Sequence, residues 1–346
     1  MIDFRYHLVS IVAVFLALAI GIVLGSTELQ GPTYSFLNHT TATLQNQLGD
    51  ARNQLATAQQ QASQDEAYAQ AVEPAVLHDL LTGQRLLIVT EPGAQSSVVS
   101  GISSAAVMAG ATVTGQVNLA SKFFDTSGTA QDSLNQTTLD VAQAAGIQLD
   151  AGATSAQQAA QAIASEILSG PATPAGSAGT RSAVGDQSTA AATMLQAYAA
   201  SQFLTTTGQP TTPATVTVVV TPQNAPSDGS NDPLAQVLIP VVQELAAKSA
   251  ATVVVGSSSG SGSGSPIAVL RSNNVSNQVS TVDDAELVSG QTVAIQALAA
   301  LLAGGKAASY GFTANGASAV APSPAPTPSV SASATSTPAD KKKARK

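Results

Sequence analysis

The chain has 346 residues, of which 44% are hydrophobic, 10% charged and 3% aromatic, and its formal net charge is -8 at pH 7. An acidic chain with few aromatic residues argues against nucleic-acid binding, which uses a basic face and stacking rings. The lack of cysteine excludes disulfides, thiolate zinc sites, iron–sulfur clusters and a cysteine nucleophile, so the composition disfavours many ordinary enzyme classes.

The first predicted element is an apolar run from Leu8 to Leu24 that contains no charged residue. With its flanks, a helix here spans about 31 Å, the thickness of a membrane hydrocarbon core. We interpret residues 1–26 as a cytoplasmic N-terminus and an uncleaved transmembrane anchor. The alternatives are a buried helix and a cleaved signal peptide, although no A-x-A-like cleavage site follows the run. The predicted anchor residues are Leu8, Val12, Phe15, Leu16, Ile20 and Leu24.

Charge predicts the orientation of this anchor. Arg5 precedes the apolar run, whereas Glu28 is the first charged residue after it. Because basic residues favour the cytoplasmic side, we expect a single-pass protein of the cell membrane whose bulk lies outside the cytoplasm.

Residues 27–75 carry a heptad pattern typical of a coiled coil. Ten of the twelve a and d positions between Tyr34 and Val72 are apolar. The flanking positions hold Gln, Asn and Thr instead of paired charges, so the pattern specifies its partner weakly. We predict association with a second copy or with a partner helix, and the alternative is one amphipathic helix lying on its own domain. The predicted seam consists of Leu37, Leu44, Leu48 and Leu55.

Residues 76–312 alternate between strand and helix patterns. The predicted strands are Leu86–Thr90, Thr112–Leu119, Thr215–Thr221, Thr252–Val255 and Ile267–Leu270. The predicted helices are Ser97–Ala109, Ser155–Leu168, Thr189–Leu204, Asp232–Lys248 and Ser289–Ala303, the last capped by Ser289 and stopped by Gly304–Gly305. Gly170–Gly185 and Gly256–Pro266 are predicted as loops. This alternation predicts an α/β domain with a mostly parallel sheet and helices on both faces.

Motifs that suggest chemistry are weak in this domain. Gly256-Ser257-Ser258-Ser259-Gly260 matches a nucleophile elbow, but a flexible Gly/Ser run follows it where the elbow requires a helix. Glu91–Ala94 follows a strand where α/β sheets bind ligands, yet one glycine is a poor phosphate signal, so we favour a plain turn. We therefore predict no catalytic residue, no bound cofactor and no enzymatic activity.

Metal ligands are also sparse. Asp283, Asp284 and Glu286 form an acidic cluster that suits a hard cation, but we favour their solvating a turn or stabilising the approach to the last helix. Copper prefers thiolate, thioether or imidazole ligands, and the chain has no Cys, three scattered Met and three distant histidines, His7, His39 and His78. The residues alone leave the metal ligands unknown.

The final segment, residues 313–346, is rich in Pro, Ser and Ala and ends in a basic cluster at Lys341–Lys346. This composition cannot bury enough apolar surface to fold, so we predict a disordered tail. Outside the cytoplasm, the basic end would contact anionic cell-wall polymers or lipid headgroups. The alternative is a tail that only makes the protein more soluble and binds nothing.

Three stretches together point to a family. They are MIDFRYHLVSIVAVFLALAIGIVLGS at residues 1–26, VLHDLLTGQRLLIVTEPGA at Val76–Ala94 and STVDDAELVSGQTVAIQALAALLAGG at Ser280–Gly305. In these stretches the chain resembles the mycobacterial copper transport protein B family of actinobacteria. The resemblance implies a role in copper homeostasis, with efflux through the envelope, and copper is implied in no other way. A related member of the family is implicated in cell separation, as a coiled-coil partner that helps control peptidoglycan hydrolysis.

The sequence thus supports two functions. The first is a non-enzymatic envelope component of copper homeostasis or efflux. The second is a coiled-coil scaffold or regulator of cell-wall remodelling and cell separation. An enzyme ranks third, since no catalytic constellation is visible. A single spanning helix cannot line a pore by itself, because the backbone groups of a pore must be satisfied by several helices or a closed barrel.

Overall fold

The structure is a computed structural model that describes residues 4–28, 30–169, 184–222, 233–257, 264–311 and 321–322. The chain divides into two compact units, Met1–Ala67 and Tyr68–Lys346. Outside the described residues lie most of the predicted loop Gly170–Gly185, the middle of the loop Gly256–Pro266, including three residues of the elbow-like motif, and nearly all of the predicted tail.

Two helices account for the first unit. Helix α1 (Phe4–Glu28) contains the apolar run, and helix α2 (Gln30–Leu77) covers most of the segment with the heptad pattern and continues into the second unit. Ala and Gln are the most frequent residues of α2, and both have high helix propensity. Pro74 lies near the C-terminal end of α2. Because proline has no backbone N–H to donate, its position there helps to end the helix and does not break it in the middle.

The second unit is built on a seven-stranded sheet with the order β3-β2-β1-β4-β5-β6-β7. Its strands are β1 (Arg85–Thr90), β2 (Thr112–Leu119), β3 (Leu204–Gly208), β4 (Val216–Val220), β5 (Ala251–Val255), β6 (Ser280–Val282) and β7 (Ser309–Tyr310). All neighbouring strands are parallel except β2 and β3, which are antiparallel. The predicted α/β class with a mostly parallel sheet is confirmed.

Helices flank this sheet. They are α3 (Ser96–Met108), α4 (Gly128–Ala145), α5 (Ser155–Ile167), α6 (Val184–Ala200), α7 (Pro233–Lys248), α8 (Pro266–Ser272) and α9 (Val288–Leu302), with short 3-10 turns at Ser121–Phe124 and Asn274–Asn277. The sheet separates two apolar cores because alternate residues of a strand face opposite sides. Leu86 and Ile88 of β1 pack with α3 and α9, whereas Leu87 and Val89 join the core formed with α4 to α8.

The predicted strand at Ile267–Leu270 is wrong, because these residues form helix α8. Ser265 caps this helix, since its Oγ accepts a hydrogen bond from the backbone N–H of Ala268 at 3.2 Å. Pro266 occupies the first turn, where its fixed φ favours a helix. A short apolar run is ambiguous between strand and helix, and the helix-start signals before it decide the outcome.

Other boundaries also differ from the prediction. The helix predicted at Thr189–Leu204 is α6, which begins at Val184, inside the predicted loop, and ends at Ala200, while Leu204 begins strand β3. Helix α9 begins one residue before Ser289, and Leu287 occupies its N-cap. Its end agrees with the predicted stop, since Gly304 adopts a φ of 83° just after Leu302. Helix α4 and strands β3, β6 and β7 were not predicted.

Candidate functional site

The carboxyl edge of a mostly parallel sheet is where α/β proteins commonly bind their ligands. In the described sheet, the strand order changes direction between β1 and β4, because β2 lies on one side of β1 and β4 on the other. Doubly wound sheets bind ligands in the crevice beyond such a switch point. The residues there are Glu91 and Gly93 after β1, and Thr221 and Pro222 after β4.

This switch point is closely packed. The backbone N–H of Glu91 donates to the Val220 carbonyl at 3.0 Å, and that of Ala94 donates to the Glu91 carbonyl at 3.1 Å. Gly93 has a φ of 86°, and a Cβ at this position would lie 3.3 Å from Cβ of Pro222. The side chain of Glu91 is buried. These described residues form a packed turn and not an open cradle for a phosphate.

A buried ion pair lies further along the same edge. Arg271 of α8 donates from Nη1 to Oδ2 of Asp283 at 2.7 Å, and the two side chains are 5% and 0% exposed. Its Nε donates to Oγ1 of Thr281 at 2.9 Å, and its Nη2 donates to the Tyr310 carbonyl at 2.8 Å. We call this set of contacts the arginine clasp. It joins α8 to β6 and β7, and the bonds at all three donor nitrogens help offset the desolvation of the buried charges.

A glycine makes room for the clasp. Gly311 follows β7 with a φ of 137°, and a Cβ at this position would overlap the carboxylate of Asp283. Both the backbone conformation and the space therefore require glycine at this position.

The neighbouring Asp284 is also buried, with 3% of its surface exposed. Its Oδ1 has no hydrogen-bond partner among the described residues. Burial, followed by the charges of Asp283 and Glu286, raises the pKa of Asp284 to about 6. The interpretation of these aspartates as solvating a turn is therefore wrong for Asp283 and Asp284, because both side chains lie inside the protein.

The described residues do not assemble a metal site from the predicted candidates. Within these ranges, no three His, Cys, Asp or Glu side chains group closely enough to hold an ion. Oδ2 of Asp283 bonds to the guanidinium of Arg271, and this positive charge would repel a metal cation. His7 and His78 are exposed, and Nδ1 of His78 lies 3.0 Å from Oδ2 of Asp79. The side chain of His39 lies outside the described part.

The predicted anchor residues lie together on α1. In the described ranges, one helix is long and apolar enough to cross a membrane, Arg5–Gly25, with a mean hydropathy of 2.9 and no buried residue. The side chains of all six predicted anchor residues, Leu8, Val12, Phe15, Leu16, Ile20 and Leu24, are exposed. In water, this much exposed apolar surface is strongly unfavourable, so the helix fits a lipid environment by length and composition.

The predicted seam of the coiled coil lies on α2. Leu44, Leu48 and Leu55 are 59%, 52% and 59% exposed, and the side chain of Leu37 lies outside the described part. The spacings of four and seven residues place these three leucines on one stripe. The three leucines therefore form a continuous apolar stripe on the described part of α2.

Sequence reasoning missed the arginine clasp. The available signal was composition, because Arg271 is one of only 13 basic residues and stands in the apolar segment Pro266–Ser272. A basic residue in an apolar helix is a weak signal that it is buried with an acidic partner.

Comparison with known proteins identifies the family. Residues 1–322 match the family described as copper transport outer membrane protein, MctB. The copper transporter MctB of Mycobacterium tuberculosis is 28% identical over 327 residues, which cover 92% of this chain and 99% of that protein. The copper transporter MctB of Mycobacterium leprae is 28% identical over 319 residues, which cover 90% of this chain and 96% of that protein. The chain therefore belongs to the MctB family.

Proposed function

We propose that this chain is a single-pass envelope protein that serves copper homeostasis or efflux without an enzymatic step. The observation that carries the proposal is the family match over residues 1–322, together with relatives named copper transporters that align over almost their whole length. The apolar helix Arg5–Gly25 supports attachment to a membrane. Arg5 before the span and Glu28 after it support a cytoplasmic N-terminus.

The chemistry of the chain favours an indirect role in copper movement. The chain has no Cys to supply thiolates, and His7 lies exposed on α1 while His78 lies exposed in the turn after α2. One spanning helix also cannot line a pore alone. We therefore assign to this chain the role of an anchored component that acts through protein partners, with the exposed stripe on α2 as the contact. The basic end, Lys341–Lys346, would add contact with anionic wall polymers or lipid headgroups.

The exposed stripe also supports the second candidate function, a scaffold or regulator in cell-wall remodelling and cell separation. Such a role needs a partner helix and no metal, and Leu44, Leu48 and Leu55 offer an apolar surface for one.

Deleting the gene in the source organism distinguishes the two functions. The copper function predicts that the deletion strain accumulates cell-associated copper and tolerates less copper in the medium, and that the wild-type gene restores both. The scaffold function predicts cells that stay joined after division, with unchanged copper content. Normal copper content and tolerance in the deletion strain would refute the copper proposal.

Membrane topology gives a further prediction. We expect a reporter fused after Lys346 to be active only outside the cytoplasm, because the uncharged span follows Arg5 and precedes Glu28. N-terminal sequencing of the membrane-bound protein should find Met1 or Ile2. A mature chain that begins just after Gly25 or Ser26 would show that the segment is a signal peptide.

Association through α2 is tested by Leu48→Asp. In a dimer this change places two carboxylates in the seam and removes two buried leucines, so we expect association to weaken by roughly 100-fold or more. Analytical ultracentrifugation of the full chain in detergent measures the change. The matched control is Asn53→Asp, which adds the same charge at an exposed position of α2 outside the seam. If wild type and Leu48→Asp are both monomers, the stripe does not mediate self-association.

A further inference from the structure

A cleft of about 690 Å³ runs beside helix α3, on the face of the sheet that α3 and α9 partly cover. One wall is α3, the floor consists of β1 and β2, and the far side is the edge strand β3 with the loop 209–212. We call it the α3 cleft. Its volume lies in the range of small-molecule sites.

Hydroxyl groups line the wall formed by α3. Ser96, Ser100 and Ser103 are spaced by four and three residues, so they lie on one face of the helix. The Ser100 hydroxyl donates to the Ser97 carbonyl at 3.0 Å and can still accept hydrogen bonds. Among the described residues, the hydroxyl groups of Ser96 and Ser103 have no hydrogen-bond partner. This wall can donate to and accept from a polar ligand.

The floor and the far side have different chemistry. Val99 and Val113 present apolar surface, whereas Thr207 and Gln209 add polar groups opposite the serines. An apolar floor with a few placed polar groups is typical of a ligand site. No carboxylate belongs to the lining, so the cleft does not suit a cation.

Arg85 is the single charged residue of the lining. Its Nε donates to the Pro213 carbonyl at 2.5 Å, and its backbone N–H donates to Oγ1 of Thr215 at 2.9 Å. The Nε bond fixes the guanidinium against the Pro213 carbonyl, and Arg85 forms no ion pair with any described residue. A positioned guanidinium of this kind matches the two oxygens of a carboxylate.

The end of the cleft near Arg85 is preformed. The backbone N–H of Gln209 donates to the Thr114 carbonyl at 3.1 Å, which ties the loop 209–212 to β2. A Cβ at Gly115 would lie 2.7 Å from the backbone nitrogen of Pro210, so only glycine lets this loop approach. A wall held by backbone contacts needs little reorganisation to receive a ligand.

We propose that the α3 cleft binds a small sugar acid, meaning one carboxylate on a body that carries several hydroxyl groups. The carboxylate pairs with Arg85, the hydroxyl groups bond to the serines of α3, and the C–H face of the sugar packs on Val99 and Val113. A single guanidinium balances a single negative charge. This binding site is independent of the proposed copper function.

Saturation-transfer NMR on the full chain in detergent tests the site, with glucuronate as the probe and glucose as its neutral counterpart. We expect transfer to glucuronate and roughly tenfold weaker binding of glucose, because only glucuronate makes the charge-assisted bonds. Arg85→Met should weaken glucuronate binding by a similar factor. Ser100→Trp should abolish binding by filling the cleft from an exposed helix position, which leaves the fold intact.

The control is Arg52→Met, which removes an exposed arginine of α2 and should leave glucuronate binding unchanged. Thermal unfolding of each variant reports whether it is folded. If Arg85→Met does not fold, glucuronate binding by Ser100→Trp decides whether the proposal stands. Three results would each overturn the proposal: no transfer to glucuronate at millimolar concentration, equal binding of glucose and glucuronate, or unchanged binding in folded Ser100→Trp.

Discussion

Arg271→Met is expected to destabilise the α/β unit by about 3–5 kcal/mol. The substitution removes the cation of the arginine clasp and leaves the carboxylate of Asp283, which is 0% exposed, without its 2.7 Å partner. It also removes the bonds to Thr281 and the Tyr310 carbonyl, which join α8 to β6 and β7. Urea denaturation of the full chain in a nonionic detergent, followed by circular dichroism, measures the loss as a lower midpoint.

Two further variants show whether the lost charge is the cause. Arg52→Met removes an exposed arginine of α2, and we expect it to change stability by less than about 0.5 kcal/mol. Combining Arg271→Met with Asp283→Leu removes both charges, so this double variant should recover much of the loss. Equal stability of Arg271→Met and wild type would show that the clasp contributes no net stability.

Asp284→Asn is expected to stabilise the folded protein at pH 7.5, by up to about 3 kcal/mol. The pKa of Asp284 in the folded protein is raised to about 6, first by burial and then by Asp283 and Glu286, from an ordinary value of 3.8. The folded state therefore binds this proton more tightly than the unfolded state. The resulting stability is fully present below about pH 3.8 and is lost as the pH rises through 6. Asparagine stays neutral and avoids that loss.

The measurement is the difference in unfolding free energy between Asp284→Asn and wild type, taken from urea denaturation at several values of pH. We expect the gain for the variant to be smallest at pH 4 and to grow towards pH 7.5, because titrating groups that do not interact with Asp284 cancel in the comparison. Asp132→Asn, exposed on α4, controls for removing one carboxylate from the surface. A difference that does not depend on pH would mean that the pKa of Asp284 is the same in the folded and the unfolded protein.

Elements with a strong local pattern could be predicted from the sequence. Strand β2 has the predicted bounds, Thr112–Leu119, and the valine-rich strands β4 and β5 differ from their predictions only at the ends. Both are buried throughout, which explains why their apolar runs are continuous instead of alternating. Strand β3 could not be predicted because its sequence, LTTTG, has one buried residue and gains its strand structure by pairing with β2.

Local sequence by itself determined the apolar span of α1, the leucine stripe of α2, the α/β class and the three stretches that point to the family. Each is a matter of composition or spacing along a continuous segment, where periodicity reports local structure directly. Tertiary structure alone decided that Arg271 meets Asp283, that Asp284 is buried, and that Arg85 lies in a cleft with serines of α3. The physical reason is that burial and ion pairing depend on how separate segments pack in three dimensions. A charged residue in an apolar segment gives a weak sign of burial, but the sequence does not show which partner it will meet.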